Sequence, residues 1–140
     1  MIDFHSETDF KLEDEEKHRQ WISGIIAAEG FDLGEILYVF CDDDYLQKLN
    51  VEFLNHDTLT DILSFDYGVG KELNGEIYIS IERVLDNALE YSVEFSNELK
   101  RVMVHGILHY MGFKDKTSSE EKAMRLKEDE CLKGFHITLP

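Results

Sequence analysis

The chain is short of the residue types that mark several common architectures. It has one proline, Pro140, and no internal repeat, low-complexity stretch or Pro-, Gly- or Ser-rich linker, so residues 1–140 read as a single domain. At 140 residues it is long enough to bury a core without staples. Its two cysteines, Cys41 and Cys131, lie far apart with no ligand spacing between them. That excludes a Cys-rich structural zinc site, fits a reduced cytoplasmic setting, and makes both thiols core residues. No apolar run approaches the ~20 residues needed to cross a bilayer, and the start is not the basic, apolar segment of a signal peptide. A membrane partner is not expected.

Positive charge is scarce too. Fourteen Lys and Arg face 30 Asp and Glu, a formal charge of −16, which argues against loose, nonspecific binding to nucleic acid. The imbalance is uneven. Residues 1–100 hold 24 acids and 7 bases, whereas residues 101–140 hold 6 acids and 7 bases. An anionic substrate would meet the least repulsion in that last segment, although acidity elsewhere is also what a solvated surface carries.

Hydrophobic periodicity gives an order of elements. Ile2 to His5 alternates as a short strand, and a helix follows from Lys11 to Glu29 with Trp21, Ile22, Ile25 and Ile26 on its buried face. Glu35 to Cys41 is the most apolar strand, expected to be covered on both faces and to pair in parallel with the first. Asp42 to Asp44 cap a second helix reaching Leu54, with Tyr45, Leu49 and Phe53 at helical spacing. Ile62 to Tyr67 and Glu76 to Ile81 form a hairpin with a long Gly-rich loop. A third helix runs from Ile81 to Tyr91 with Val84, Leu85, Ala88 and Leu89 as its apolar positions. Ser96 caps a central fourth helix whose inner surface is Leu99, Met103, Ile107 and Tyr110. A capping box of Thr117 and Glu120 opens a last helix that stops at Gly134. The expected fold is α+β, a mixed sheet of about four strands covered by helices.

The central helix carries the chemistry. His105 and His109 are four positions apart, hence on one face about a turn apart, and their imidazoles can converge. Gly112 suits the left-handed turn that ends a helix, which frees Asp115 to swing back toward the pair. Two imidazoles and a carboxylate suit a catalytic zinc or similar divalent ion, which needs three protein ligands and one open position. The same His-x-x-x-His spacing also serves two partly buried histidines in polar contact. Gly106 stands where metalloproteases of the zincin type place their general-base Glu, which argues against peptide hydrolysis by that route. A residue without a side chain there means close approach of a substrate or of a packed neighbour.

Three runs, His105 to Phe113, Asp57 to Phe65 and Gly75 to Ser80, occur in an order that resembles the YbeY family of metal-dependent endoribonucleases. The corresponding family patterns are His-Gly-x-Leu-His-x-x-Gly-Tyr-Asp-His, Thr-Asp-Val-Leu-Ser-Phe and Gly-Asp-Ile-x-Ile-Ser. The resemblance spans residues from Leu49 to Leu132. It implies a zincin-like domain with a metal-bearing central helix, holding one Zn²⁺ or another divalent ion on His105, His109 and Asp115. It further implies cleavage of single-stranded RNA in small-subunit ribosomal RNA 3′ end maturation and ribosome quality control. The partners would be ribosomal RNA and the ribosome or its proteins, and not DNA.

Two positions depart from the family pattern. Asp115 stands where the third histidine is usual, with Lys114 before it. A carboxylate oxygen reaches zinc at ~2.0–2.2 Å, much as an imidazole does, so the exchange keeps the site while adding negative charge and easing the binding of Mn²⁺ or Mg²⁺. Leu54 stands where an arginine is common, a natural clamp for a phosphodiester. His56, Lys114 and Lys116 are the substitutes within reach, and His56 is the candidate catalytic residue; each also reads as an ordinary solvated side chain. Asp61 and Asp66 could orient a metal-bound histidine or merely cap loops. His136 in the tail reads as structural or exposed. Two other functions stay open: a non-catalytic ribosome-assembly factor with a structural metal, and a metal-dependent hydrolase of a smaller substrate.

Overall fold

The computed structural model describes residues 1–54 and 60–137. In chain order it contains β1 (Ile2–Ser6), α1 (Glu15–Ala28), β2 (Asp32–Cys41), α2 (Asp43–Leu54), β3 (Ile62–Asp66), β4 (Glu72–Ser80), α3 (Ile81–Glu90), α4 (Phe95–Tyr110) and α5 (Ser118–Ile137). The strands form one mixed sheet in the order β1-β2-β4-β3. β1, β2 and β4 are parallel, as the strand-helix-strand start requires, and β3 pairs antiparallel with β4 at the edge. The α+β architecture read from the sequence is the one observed. Among the described residues no helix is long and apolar enough to cross a membrane.

Alternation along the strands splits the sheet into two faces. Ile36, Tyr38 and Phe40 of β2 and Leu73, Ile77 and Ile79 of β4 join Trp21 and Ile22 of α1 and Leu99, Met103 and Ile107 of α4 in the main core. On the other face Cys41 and Leu63 pack with Leu46 of α2 in a smaller cluster, which covers the end of β2 on its second side. Buried polar atoms in the core are paired. The Trp21 indole donates to the Cys131 carbonyl at 2.8 Å and the Tyr38 hydroxyl to that of Met103 at 2.9 Å.

Two glycines set how closely the site-bearing α4 approaches the sheet. A Cβ at Gly106 would lie 3.1 Å from both Ile62 and Ile77, so the bare position answers to helix–sheet packing. At Gly75 in β4 a Cβ would collide with the Tyr110 hydroxyl and the Phe65 carbonyl. That hydroxyl sits between the carbonyls of Phe65, at 2.9 Å, and Glu76, at 3.1 Å, and pins the end of α4 to the hairpin.

Several boundaries differ from the sequence expectation, each for a packing reason. α1 starts at Glu15 because Asp14 is left-handed (φ 55) and the preceding chain turns Phe10 inward, edge-on to Phe40 at 5.2 Å. β2 begins at Asp32 and β4 at Glu72, since the parallel pairing of Asp32 with Glu72 extends both strands and shortens the hairpin loop. α2 buries Leu46 and Asn50, while Tyr45 and Phe53 are exposed and lean on Tyr78 and Phe65. Of the apolar positions of α3 only Val84 and Ala88 are buried; Leu85 and Leu89 face solvent. Ser96 does not cap α4. Phe95 packs edge-on to Phe10, so the helix enters two residues earlier, with Glu94 as its extended N-cap residue. α5 runs through Gly134 because Phe135 is buried 5.2 Å from both the Trp21 and His18 rings.

Both cysteines are free and buried, as expected. Burial, reinforced by Asp42 and Asp43, pushes the Cys41 thiol up to about 12, and burial pushes Cys131 up to about 11. Ellman's reagent at pH 8 is expected to leave both thiols of the native protein unreacted and to titrate both in guanidinium; rapid native reaction would contradict this burial. Gly75→Ala is expected to lower stability in urea titration by ~2 kcal/mol or more. Gly134→Ala, where a Cβ meets nothing within 4 Å, should raise it by ~0.5–1 kcal/mol. Equal effects at the two positions would show that the Tyr110–Gly75 contact does not constrain α4.

Candidate metal centre

α4 sets His105 and His109 one turn apart on its solvent-side edge, and Gly112, at φ 99, ends the helix directly after them. The amides of Gly112 and Phe113 close the turn onto the carbonyls of His109 and Leu108, each at 3.0 Å. The capping box then restarts the helical chain: Thr117 N–H donates to the Glu120 carboxylate at 3.0 Å, and Glu120 N–H donates to the Thr117 hydroxyl at 3.1 Å. Asp115 is held between these two helix ends and faces both histidines.

The three side chains converge. His105 Nε2 and His109 Nε2 are 3.0 Å apart, and Asp115 Oδ2 lies 3.2 Å from the first and 3.3 Å from the second. Ligands at ~2.1 Å on a tetrahedral ion are ~3.4 Å from one another, so this nearly equilateral triangle is close to the size that a zinc-like ion needs. The donor set of two nitrogens and one carboxylate oxygen suits the same ion. Side chains of His109 and Asp115 are 33% and 37% exposed, so the triangle is accessible to solvent.

One residue the sequence reading missed completes the arrangement. Glu128 of α5 is 4% exposed, and its Oε2 lies 2.6 Å from His105 Nδ1. With Nδ1–H donating to the carboxylate, the Nε2 lone pair faces His109 and Asp115, the orientation a metal-bound histidine requires. Oε1 of Glu128 accepts from Arg101 at 2.8 Å, and Arg101 also donates to Asp129. Burial lowers the affinity of His105 for a proton, but the hydrogen bond and charge of Glu128, with Asp115 and Asp61, outweigh it and raise the pKa above its ordinary value. A cation among the three atoms would act oppositely and hold the imidazole neutral. A signal for Glu128 was present: Met124, Glu128, Cys131 and Phe135 form the buried stripe of α5, and an acid on such a stripe needs a partner.

The other candidates fall elsewhere. Asp66 accepts from Gly68 N–H at 2.8 Å and shapes the hairpin turn. Asp61 accepts from the Asn87 side chain at 3.2 Å, and burial pushes its carboxyl above the usual range against the pull of His105. Among the described residues neither is hydrogen-bonded to a histidine, and Glu128 takes the orienting position expected of them. Lys114 and Lys116 are exposed beside Asp115. His56 lies outside the described residues, as do the side chains of Leu54 and His136. Beside His105 and Asp115 a cleft of about 730 Å³ opens between α3, α4 and α5.

The chain is similar to known proteins along most of its length. The profile of the family described as Endoribonuclease YbeY matches residues 2–136. The Endoribonuclease YbeY of Flavobacterium johnsoniae is 56% identical over 98% of this chain and 99% of its own. That of Christiangramia forsetii is 53% identical over 97% and 95%, and that of Porphyromonas gingivalis 44% over 86% and 80%. A solution structure of a Thermotoga maritima protein superposes with a TM-score of 0.68 at 30% identity, covering 96% of this chain and 90% of that one.

The buried pairing yields a stability test. Removing one partner of a buried ion pair typically costs ~3–5 kcal/mol, and the Arg101 side chain is only 14% exposed, so Arg101→Met is expected to destabilise by ~3 kcal/mol. Adding Glu128→Leu should recover at least ~1 kcal/mol of that loss, because an orphaned carboxylate costs more than none. A double variant weakened by the full sum of the two single losses would contradict the pairing.

Proposed function

The chain belongs to the endoribonuclease YbeY family, and from that premise we propose a metal-dependent endoribonuclease that cuts single-stranded ribosomal RNA with one zinc ion on His105, His109 and Asp115. The cellular task is small-subunit ribosomal RNA 3′ end maturation and ribosome quality control, with the ribosome as partner and the cytoplasm as location. The carrying observation is the triangle of two imidazole nitrogens and a carboxylate oxygen, 3.0 to 3.3 Å on each side, at the end of a cleft.

Zinc in such a site, when bound, activates water for attack and polarises a phosphoryl oxygen. The chain's own residues supply the geometry. His105 is aimed by Glu128, His109 by the rigid turn of α4, and Asp115 by the two helix ends that flank it. Arg101 neutralises the second oxygen of Glu128, so the carboxylate faces His105 as a fixed acceptor. The added negative charge of Asp115, relative to a third histidine, favours hard divalent ions as replacements for zinc.

The rival reading, a ribosome-assembly factor with a purely structural metal, calls for a closed set of four ligands. Among the described residues three donors converge, with solvent access, and this favours the catalytic reading. The decisive assay combines metal analysis with RNA cleavage. Purified protein is expected to carry about one zinc per chain and to cut single-stranded RNA, losing both on chelation and recovering both on zinc addition. His109→Ala and Asp115→Ala should lower metal content, with cleavage falling by ~100-fold or more. Equal cleavage by wild type and His109→Ala, or none by zinc-loaded wild type, would contradict the enzyme reading.

A further inference from the structure

Three of the chain's four arginines are committed to carboxylates: Arg19 to Glu15 and Glu16, Arg83 to Asp43 and Asp86, and Arg101 to Glu128 and Asp129. Arg125 is different. Among the described residues it has no ion-pair partner, and its guanidinium lies 5.9 Å from the centroid of the Tyr91 ring. Tyr91 is 52% exposed at the end of α3, and both residues line the cleft that begins at His105 and Asp115. Lys122, likewise exposed and outside any ion pair among the described residues, lines the same wall.

Spacing links these groups to the metal centre. Lys122, Arg125 and Glu128 follow one another at intervals of three on α5. With a rise of ~1.5 Å per residue, Arg125 stands ~4.5 Å and Lys122 ~9 Å along the helix from the carboxylate that holds His105. A polyanionic strand passing the histidines and following this wall would meet two cations in succession. The acids of the cleft do not cancel them. Glu128 is paired with Arg101 and hydrogen-bonded to His105, and burial raises the carboxyls of Glu98 and Asp61 above their usual range, against the pull of Arg101 on the first and of His105 on the second. Of the described acids that line the cleft, Glu121 and Asp115 have exposed or half-exposed side chains, and Asp115 faces the histidines.

An exposed aromatic ring beside unpaired cations is the arrangement by which single-stranded nucleic acids are held without sequence readout, the ring stacking on a base and the cations meeting phosphates. We infer that the cleft between α3, α4 and α5 is the subsite for the nucleotides next to the scissile phosphate, with Arg125 and Lys122 on the backbone and Tyr91 stacked on a base. The inference rests on the endoribonuclease reading above.

The test measures binding of a short, fluorescein-labelled, 2′-O-methyl phosphorothioate RNA single strand to zinc-loaded protein across a salt series. Each phosphate contact on a single strand contributes ~0.7 to the slope of log affinity against log salt, so Lys122→Gln with Arg125→Gln should flatten that slope by ~1.4. Tyr91→Leu should weaken binding roughly tenfold at every salt concentration and leave the slope unchanged. Lys133→Gln, an exposed lysine on α5 outside the cleft, serves as the control, and zinc content and circular dichroism should match wild type throughout. If wild type neither binds nor cuts RNA, the endoribonuclease reading fails with it. If wild type cuts RNA but the cleft variants keep its slope and affinity, or Lys133→Gln flattens the slope equally, or the cleft variants lose zinc, the subsite assignment alone is overturned.

Discussion

Glu128 lies 4% exposed between α4 and α5, and an ionised carboxylate at that depth must be met by donors or positive charge. Arg101 and His105, one turn apart on α4, meet its two oxygens. That requirement fixes how α5 docks on α4, and the docking in turn fixes the short bend between them. Gly112 and the Thr117–Glu120 box shape the bend so that Asp115 faces the histidines. The same hydrogen bond decides which imidazole nitrogen of His105 faces the site. Fold stability and site geometry thus share one buried group.

Much of this was legible in the sequence, for identifiable reasons. The spacing of His105 and His109, the glycine stop and the following carboxylate are local features, set by helix geometry within a dozen residues, and local features survive translation into three dimensions. The strand-helix-strand start and the edge hairpin followed from periodicity and turn residues. What sequence reasoning missed depends on distant packing. The orienting role belongs to Glu128, far along the chain, and not to Asp61 or Asp66, because only the docking of α5 brings Glu128 to His105. α1 starts late and α5 runs past Gly134 because Phe10 packs half-buried against Phe40 and Phe135 is buried against Trp21, and tertiary packing outweighs local helix signals. Tyr45 and Phe53 have helical spacing yet lie exposed along the second face of the sheet, which α2 covers only in part.

Acidity and RNA chemistry are reconciled by where the charges sit. A formal charge of −16 repels a polyanion at long range, so a productive encounter depends on local neutralisation near the metal centre. Residues 101–140 carry nearly balanced charge, and the buried acid among them, Glu128, is met by Arg101 and His105. Close approach of α4 to the sheet, permitted by Gly106 and Gly75, keeps the histidines at the surface of a rigid core. The proposed selectivity for single strands calls for a cleft rather than a broad basic face.

Two nitrogens and one oxygen brought to a common point by a helix, a glycine turn and a capped restart form the basis for the functional reading. X-ray absorption at the zinc edge of the purified protein tests this most directly. The expected spectrum has imidazole multiple scattering with nitrogen and oxygen neighbours at ~2.0–2.1 Å and no sulfur. Zinc–sulfur scattering at ~2.3 Å, or a shell without imidazole, would place the ion elsewhere and contradict the account.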